Sequence, residues 1–144
     1  MAQFPHVYQS SARIDPEGLV AITGPGLPKL DSAPPAEFGG PGDQWSPETL
    51  LTAAVADCFV LTFRAIARAS KLSWNRLEVD VEGTLDKVDG ETRFTSILVK
   101  ARLQAPDGTD EGKAVRIMEK SEKMCLITNS LMAEVHLEPS VSLG

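Results

Sequence analysis

Ser46-Pro47-Glu48-Thr49-Leu50-Leu51-Thr52-Ala53-Ala54-Val55-Ala56-Asp57-Cys58-Phe59 opens the longest helical pattern in the chain. Ser46 is a good N-cap, Pro47 suits the first helical position, and Glu48 complements the positive end of the helix dipole. The spacing predicts a helix from Pro47 to about Lys71. From Leu50 to Ile66 it is apolar on most sides, through Leu50, Leu51, Val55, Phe59, Val60, Leu61, Phe63 and Ile66. A helix that is apolar all round is buried all round. One small domain rarely surrounds so long a helix, so a second copy of the chain is expected to cover the remainder, as a homodimer.

Upstream, Val7 to Ile22 reads as two short strands, with Tyr8, Ala12 and Ile14 on one face of the first. Asp15-Pro16-Glu17-Gly18 is the turn between them, since proline presets φ and glycine accepts φ > 0. Gly24 to Gly42, rich in proline and glycine, reads as an ordered connecting loop, long enough to invite a functional role. Downstream, Leu77, Val79 and Val81 alternate with Glu78, Asp80 and Glu82, the period of a sheet with one wet face. Asp89-Gly90 marks a hairpin turn, and Ile97, Val99, Ala101 and Leu103 form the return strand. Thr109 or Asp110 caps a second helix to Met124. Its buried stripe is Ala114, Met118, Ser121 and Cys125, flanked by Ile117 and Met124, while Lys113, Arg116, Lys120 and Lys123 face water. Ala133 to Glu138 reads as a last strand. The predicted class is α+β, in a single domain over residues 1–144.

The chain's 144 residues, 42% hydrophobic and 24% charged, suit one globular domain with a modest core. A net charge of −6 argues against a nucleic-acid partner, because phosphate binding needs a basic footprint. No apolar run is expected to reach the ~18 residues of a membrane span, and the first residues lack the pattern of a secretory signal. The expectation is a cytoplasmic protein with no membrane partner. There, two cysteines are more often free or redox-active than a permanent staple.

Cys58 and Cys125 are the only cysteines. Each has an ordinary reading as a small buried hydrophobe. Cys58 sits mid-helix, away from a helix N-terminus, so a thiolate there needs a cation or hydrogen bonds. Arg64 and Arg68 do not stand at a facing spacing on that helix, whereas Arg13, on the first strand, could reach across. Whether Cys125 can meet Cys58 depends on folded geometry alone. Glu48 is good helix-start chemistry and also a possible acceptor for a cation beside a thiolate. It lies about 15 Å from Cys58 along one helix, so antiparallel crossing of two helices in a dimer would be needed to bring the pair together. His6 and His136 are isolated, and no metal-ligand spacing occurs. Gly39-Gly40-Pro41-Gly42 lacks the Lys-Ser/Thr of a phosphate loop. No metal or cofactor is expected.

Phe38-Gly39-Gly40, Ser46 to Leu51, Ala56-Asp57-Cys58-Phe59 and the late segment from Ala114 through Cys125 to Leu131 together resemble the OsmC/Ohr family of thiol peroxidases, over nearly the whole chain. The resemblance implies an α+β OsmC-like fold, with antiparallel sheets around a long central helix and two intertwined protomers. It also implies reduction of organic hydroperoxides, or hydrogen peroxide, through a Cys58 sulfenic acid and a Cys58–Cys125 disulfide. In that scheme Cys58 is peroxidatic, Cys125 is resolving, Glu48 is the family carboxylate, and a dithiol such as dihydrolipoamide is the reductant. Two positions depart from the family pattern. Its activating arginine has no counterpart in Asp15-Pro16-Glu17-Gly18 or in the loop from Thr23 to Trp45, leaving Arg13 as the nearest candidate; and Leu126 stands where proline usually follows the second cysteine. The alternative is a non-enzymatic protein of the same fold that holds an apolar ligand in the dimer cleft.

Overall fold

In the computed structural model, which describes residues 3–144, the chain falls into two compact units, one reaching to Leu50 and one from Leu51 to Gly144. The first holds β1 (Ser11–Arg13), β2 (Val20–Thr23) and β3 (Leu30–Ser32), an antiparallel sheet in that order, and a short 3-10 turn at Ala36–Phe38. Ala12 pairs with Ile22, and Ile22 with Leu30. The predicted hairpin is present, but its first strand is shorter than Val7–Ile14, and Tyr8 lies outside it, exposed. The predicted loop Gly24–Gly42 contains β3. Three residues between Pro28 and Pro34 are too few to display an alternation, so the strand was invisible to periodicity. Gly40 is obligatory, because a Cβ there would run into the carbonyl of Pro34.

α1 spans Pro47–Ala69. Ser46 caps it reciprocally: the Thr49 N–H donates to Ser46 Oγ at 3.1 Å, and the Ser46 N–H donates to Thr49 Oγ1 at 2.8 Å. This is a capping box with threonine in the glutamate's place. At the other end Lys71 turns left-handed (φ 58°), the Leu72 N–H reaches the Ala67 carbonyl at 2.9 Å, and the Lys71 N–H reaches that of Arg68 at 3.2 Å. That Schellman closure ends the helix two residues before the predicted Lys71.

The second sheet has the order β4-β5-β6, from Arg76–Val88, Glu91–Ala105 and Glu134–Leu143. β4 and β5 form the predicted hairpin. Asp89 (φ 52°) and Gly90 (φ 81°) are both left-handed, which suits the twist of a two-residue turn. β5 and β6 are parallel, so this sheet is mixed rather than antiparallel as expected. The cause is the crossover: α2 (Glu111–Met124) and α3 (Leu126–Asn129) carry the chain back along the sheet before β6 begins. β6 runs past Glu138 because it is an edge strand, where Pro139 is tolerated.

In this second unit Val55, Phe59, Phe63 and Ala67 of α1 pack against Ile97, Val99, Ala101 and Leu103 of β5 and Ala114, Ile117 and Met118 of α2. Each large side chain so buried contributes about 1.5–3 kcal/mol. Trp74 packs edge-on against Phe63, with ring centroids 5.4 Å apart. α1 approaches the sheet closely at Gly83, where a Cβ would stand 2.9 Å from the Phe94 ring and 3.1 Å from the Thr52 methyl. Asp110 caps α2 by accepting the Lys113 N–H at 3.1 Å. The stripe Ala114, Met118, Ser121, Cys125 is buried as predicted. Met124 is exposed instead, and Lys113 is half-buried, donating from Nζ to the Ser70 carbonyl at 2.9 Å. α1 is long and apolar enough to cross a membrane by length and composition, yet four of its side chains belong to this core.

Candidate active site

The second unit brings Cys58 and Cys125 together, although 66 other residues separate them in sequence. Cys58 projects from the middle of α1 and is half-buried; one turn on, Thr62 Oγ1 lies 3.9 Å from its sulfur. Cys125 is buried at the joint between α2 and α3, with extended backbone (φ −67°, ψ 109°). Its N–H donates to the Glu122 carbonyl at 3.3 Å, and its own carbonyl accepts the Asn129 N–H at 3.0 Å and the Thr128 hydroxyl at 3.1 Å. The residue is thereby locked on both sides.

The two thiols are free, hydrogen-bonded to each other, and unequal. For Cys58, burial opposes ionisation. Against it act the Ile127 N–H, the Cys125 thiol, the Thr62 hydroxyl and the Leu126 N–H, all directed at the sulfur, and together they hold the thiol below its ordinary pKa. For Cys125, burial is again the largest influence. Hydrogen bonds from Thr128 offset it only in part, and the neighbouring Cys58 adds to it, so this thiol is pushed up. The two thiols are thus shifted in opposite directions, Cys58 toward easier ionisation and Cys125 away from it, by environment alone. Sequence reasoning missed Thr62, Leu126, Ile127 and Thr128. Thr62 was legible as the i+4 neighbour of Cys58; the two backbone donors required the folded joint after α2.

Glu48 and Arg13 belong to the first unit. Ala12, Ile14, Val20, Ile22 and Phe38 line an apolar cavity of about 420 Å³ that Glu48 also borders. Glu48 Oε1 is buried and has no hydrogen-bond partner among the described residues. Arg13 ends β1 between Ala12 and Ile14, both of which line the cavity, and is not itself a lining residue. It is exposed and makes no ion pair among the described residues. The structure thus brings the cysteines together but does not pair Arg13 with Glu48. On the unbroken α1, Glu48 and Cys58 of one chain stay about 15 Å apart. Among the described residues no group of His, Cys, Asp and Glu is placed to hold a metal ion.

A mixed sheet packed on a long helix, with a thiol pair at the helix middle, defines a class of α+β dithiol protein. The model of the OsmC-like protein family matches residues 40–140, and the chain belongs to that family. It is 28% identical over 115 residues to the uncharacterized protein YmaD of Bacillus subtilis, covering 76% of this chain and 77% of that one. To the peroxiredoxin OsmC of Escherichia coli it is 28% identical over 93 residues, covering 65% of this chain and 64% of that one. Among solved structures, an organic hydroperoxide resistance protein OsmC from Legionella pneumophila superposes with a TM-score of 0.75 at 28% identity, covering 97% of this chain and 99% of that one.

Proposed function

We propose that this chain is a thiol-dependent peroxidase that reduces organic hydroperoxides or hydrogen peroxide; the names of its relatives support the organic substrate. The observation that carries the reading is the inequality of two thiols in hydrogen-bond contact. The Cys58 thiolate attacks the terminal peroxide oxygen, and the O–O bond breaks. The alkoxide leaves and takes a proton to become the alcohol, while sulfur, oxidised by two electrons, becomes the sulfenic acid. Cys125 sulfur then attacks Cys58 sulfur. The S–S bond forms, hydroxide leaves, and the proton from Cys125 converts it to water. An external dithiol of the dihydrolipoamide type returns both thiols by exchange. The protein works as a cytoplasmic homodimer in this reading. Support for the second copy is the α1 surface left open in one chain, where Leu61 is 48% exposed. Stopped-flow oxidation of reduced protein by cumene hydroperoxide tests the proposal: second-order loss of thiol far faster than for a free cysteine peptide is expected, and a rate equal to the peptide's rejects it.

A second reading rests on the first-unit cavity. Apolar walls and one buried, unpartnered carboxylate oxygen suit an apolar ligand that carries a hydrogen-bond donor, bound without turnover.

A further inference from the structure

We infer that the first unit carries a binding site for a small apolar amine, taken as its ammonium: the cavity holds the hydrocarbon arm and the Glu48 carboxylate receives the cation. This rests on the second reading above, names its ligand class, and is independent of the peroxide chemistry.

Glu48 stands in the first turn of α1, where a carboxylate ordinarily serves the helix start. Here that start is served without it. The Thr49 N–H donates to Ser46 Oγ at 3.1 Å, the Leu50 N–H donates to the Ser46 carbonyl at 2.8 Å, and Pro47 has no N–H to satisfy. Glu48 Oε1 is nevertheless buried, with no hydrogen-bond partner among the described residues. A buried carboxylate oxygen left in that state is costly, so a ligand that brings it a donor gains correspondingly. The cavity that Glu48 borders is the route for such a donor. Its other walls are almost all apolar, from β1, β2 and the prolines Pro34, Pro35 and Pro47, with Phe38 as the aromatic ring. A volume of about 420 Å³ lies at the small end of ligand sites and suits one short alkyl or aryl arm.

Charge selects the head group. Glu48 is the one titratable residue that lines the cavity. The two cationic side chains of this unit are committed elsewhere or turned to solvent: Lys29 pairs with Asp31 at 3.2 Å, and Arg13 is exposed and does not line the cavity. Residues 3–50 carry six acidic and two basic side chains, so four of the chain's six net negative charges sit on this unit. Their field draws a cation and repels an anion. A neutral alcohol would meet the same walls, but a hydrogen bond between charged partners is roughly twice as strong as one between neutral groups. The positive end of the helix opposes a cation only weakly beside a full carboxylate charge. A primary amine is protonated at neutral pH, as lysine is, and supplies both the charge and the donor.

Isothermal titration calorimetry of the full chain with phenethylamine, and with phenethyl alcohol as its neutral twin, tests the assignment on wild type, E48Q and A12F. E48Q keeps the side-chain shape and removes the charge. A12F builds a ring into the cavity that Ala12 lines and leaves the carboxylate in place. Wild type should bind the amine about tenfold or more tighter than the alcohol. E48Q should weaken the amine by that factor and leave the alcohol unchanged, and A12F should abolish binding of both. Equal affinity of wild type for the two ligands overturns the inference while the apolar-ligand reading stands; it is also the result expected if a cation of a second copy already meets Glu48. Binding of neither ligand removes that reading and the inference with it. Amine binding undiminished in E48Q or in A12F overturns the inference as well. If E48Q loses its native circular dichroism, the wild-type preference for amine over alcohol and the loss in A12F decide between the same outcomes.

Discussion

Replacing Cys125 with alanine separates two jobs that one buried sulfur performs. Cys125 is 1% exposed and continues the α2 stripe, so the truncation leaves a sulfur-sized void beside the core. By the cost of small core deletions this is about 1–2 kcal/mol, or roughly a 3–8 °C drop in melting temperature for a chain of this size. The backbone locks at residue 125 use the N–H and C=O, which alanine keeps, so the joint after α2 should survive. Chemically the loss is larger. The Cys125 thiol is one of the donors that stabilise the Cys58 thiolate, and no other cysteine in the chain can resolve a sulfenic acid. The reduced variant is mixed with one equivalent of cumene hydroperoxide and quenched into dimedone, and intact mass is read with time. C125A should lose one thiol and accumulate the dimedone adduct stoichiometrically, at an initial rate a few-fold below wild type. Wild type should lose both thiols with little adduct. Equal adduct yields from the two proteins would refute the idea that Cys125 resolves Cys58.

Alkylation by iodoacetamide, followed by peptide mapping between pH 5 and 9, should modify Cys58 first. Thiolate grows as pH rises through the lowered Cys58 pKa, whereas Cys125, pushed up, keeps its proton over that range; simultaneous labelling of both would contradict the assignment. G83V should destabilise the protein by about 1–3 kcal/mol in urea unfolding, because the new side chain must displace the Phe94 ring and the Thr52 methyl at the close approach of α1 to the sheet. A neutral G83V would mean that this contact yields without cost.

The major elements were legible where local chemistry and burial agree. Ser46-Pro47 announced α1, Asp89-Gly90 announced the hairpin turn, and Thr109-Asp110 announced α2, with the structure choosing Asp110 as its cap. What escaped was set by neighbours far away in sequence. β3 is three residues long and exists because β2 offers it a partner. The parallel run of β6 depends on where the crossover lands, and Pro139 disguised its second half as a break. The candidate site divides in the same way. Both cysteines could be named from the chain, but their contact, their opposite shifts and the donors at Leu126 and Ile127 follow from the joint after α2. Arg13 is the nearest cation the sequence offers for Cys58; it ends β1, exposed, and does not line the cavity that Glu48 borders.

Non-reducing peptide mapping of protein treated with one equivalent of cumene hydroperoxide tests the central claim most directly. The account predicts a single linked pair joining the Cys58 and Cys125 peptides within one chain, formed without sulfinic acid. Cys58 advanced to sulfinic acid while Cys125 remains a free thiol would contradict it.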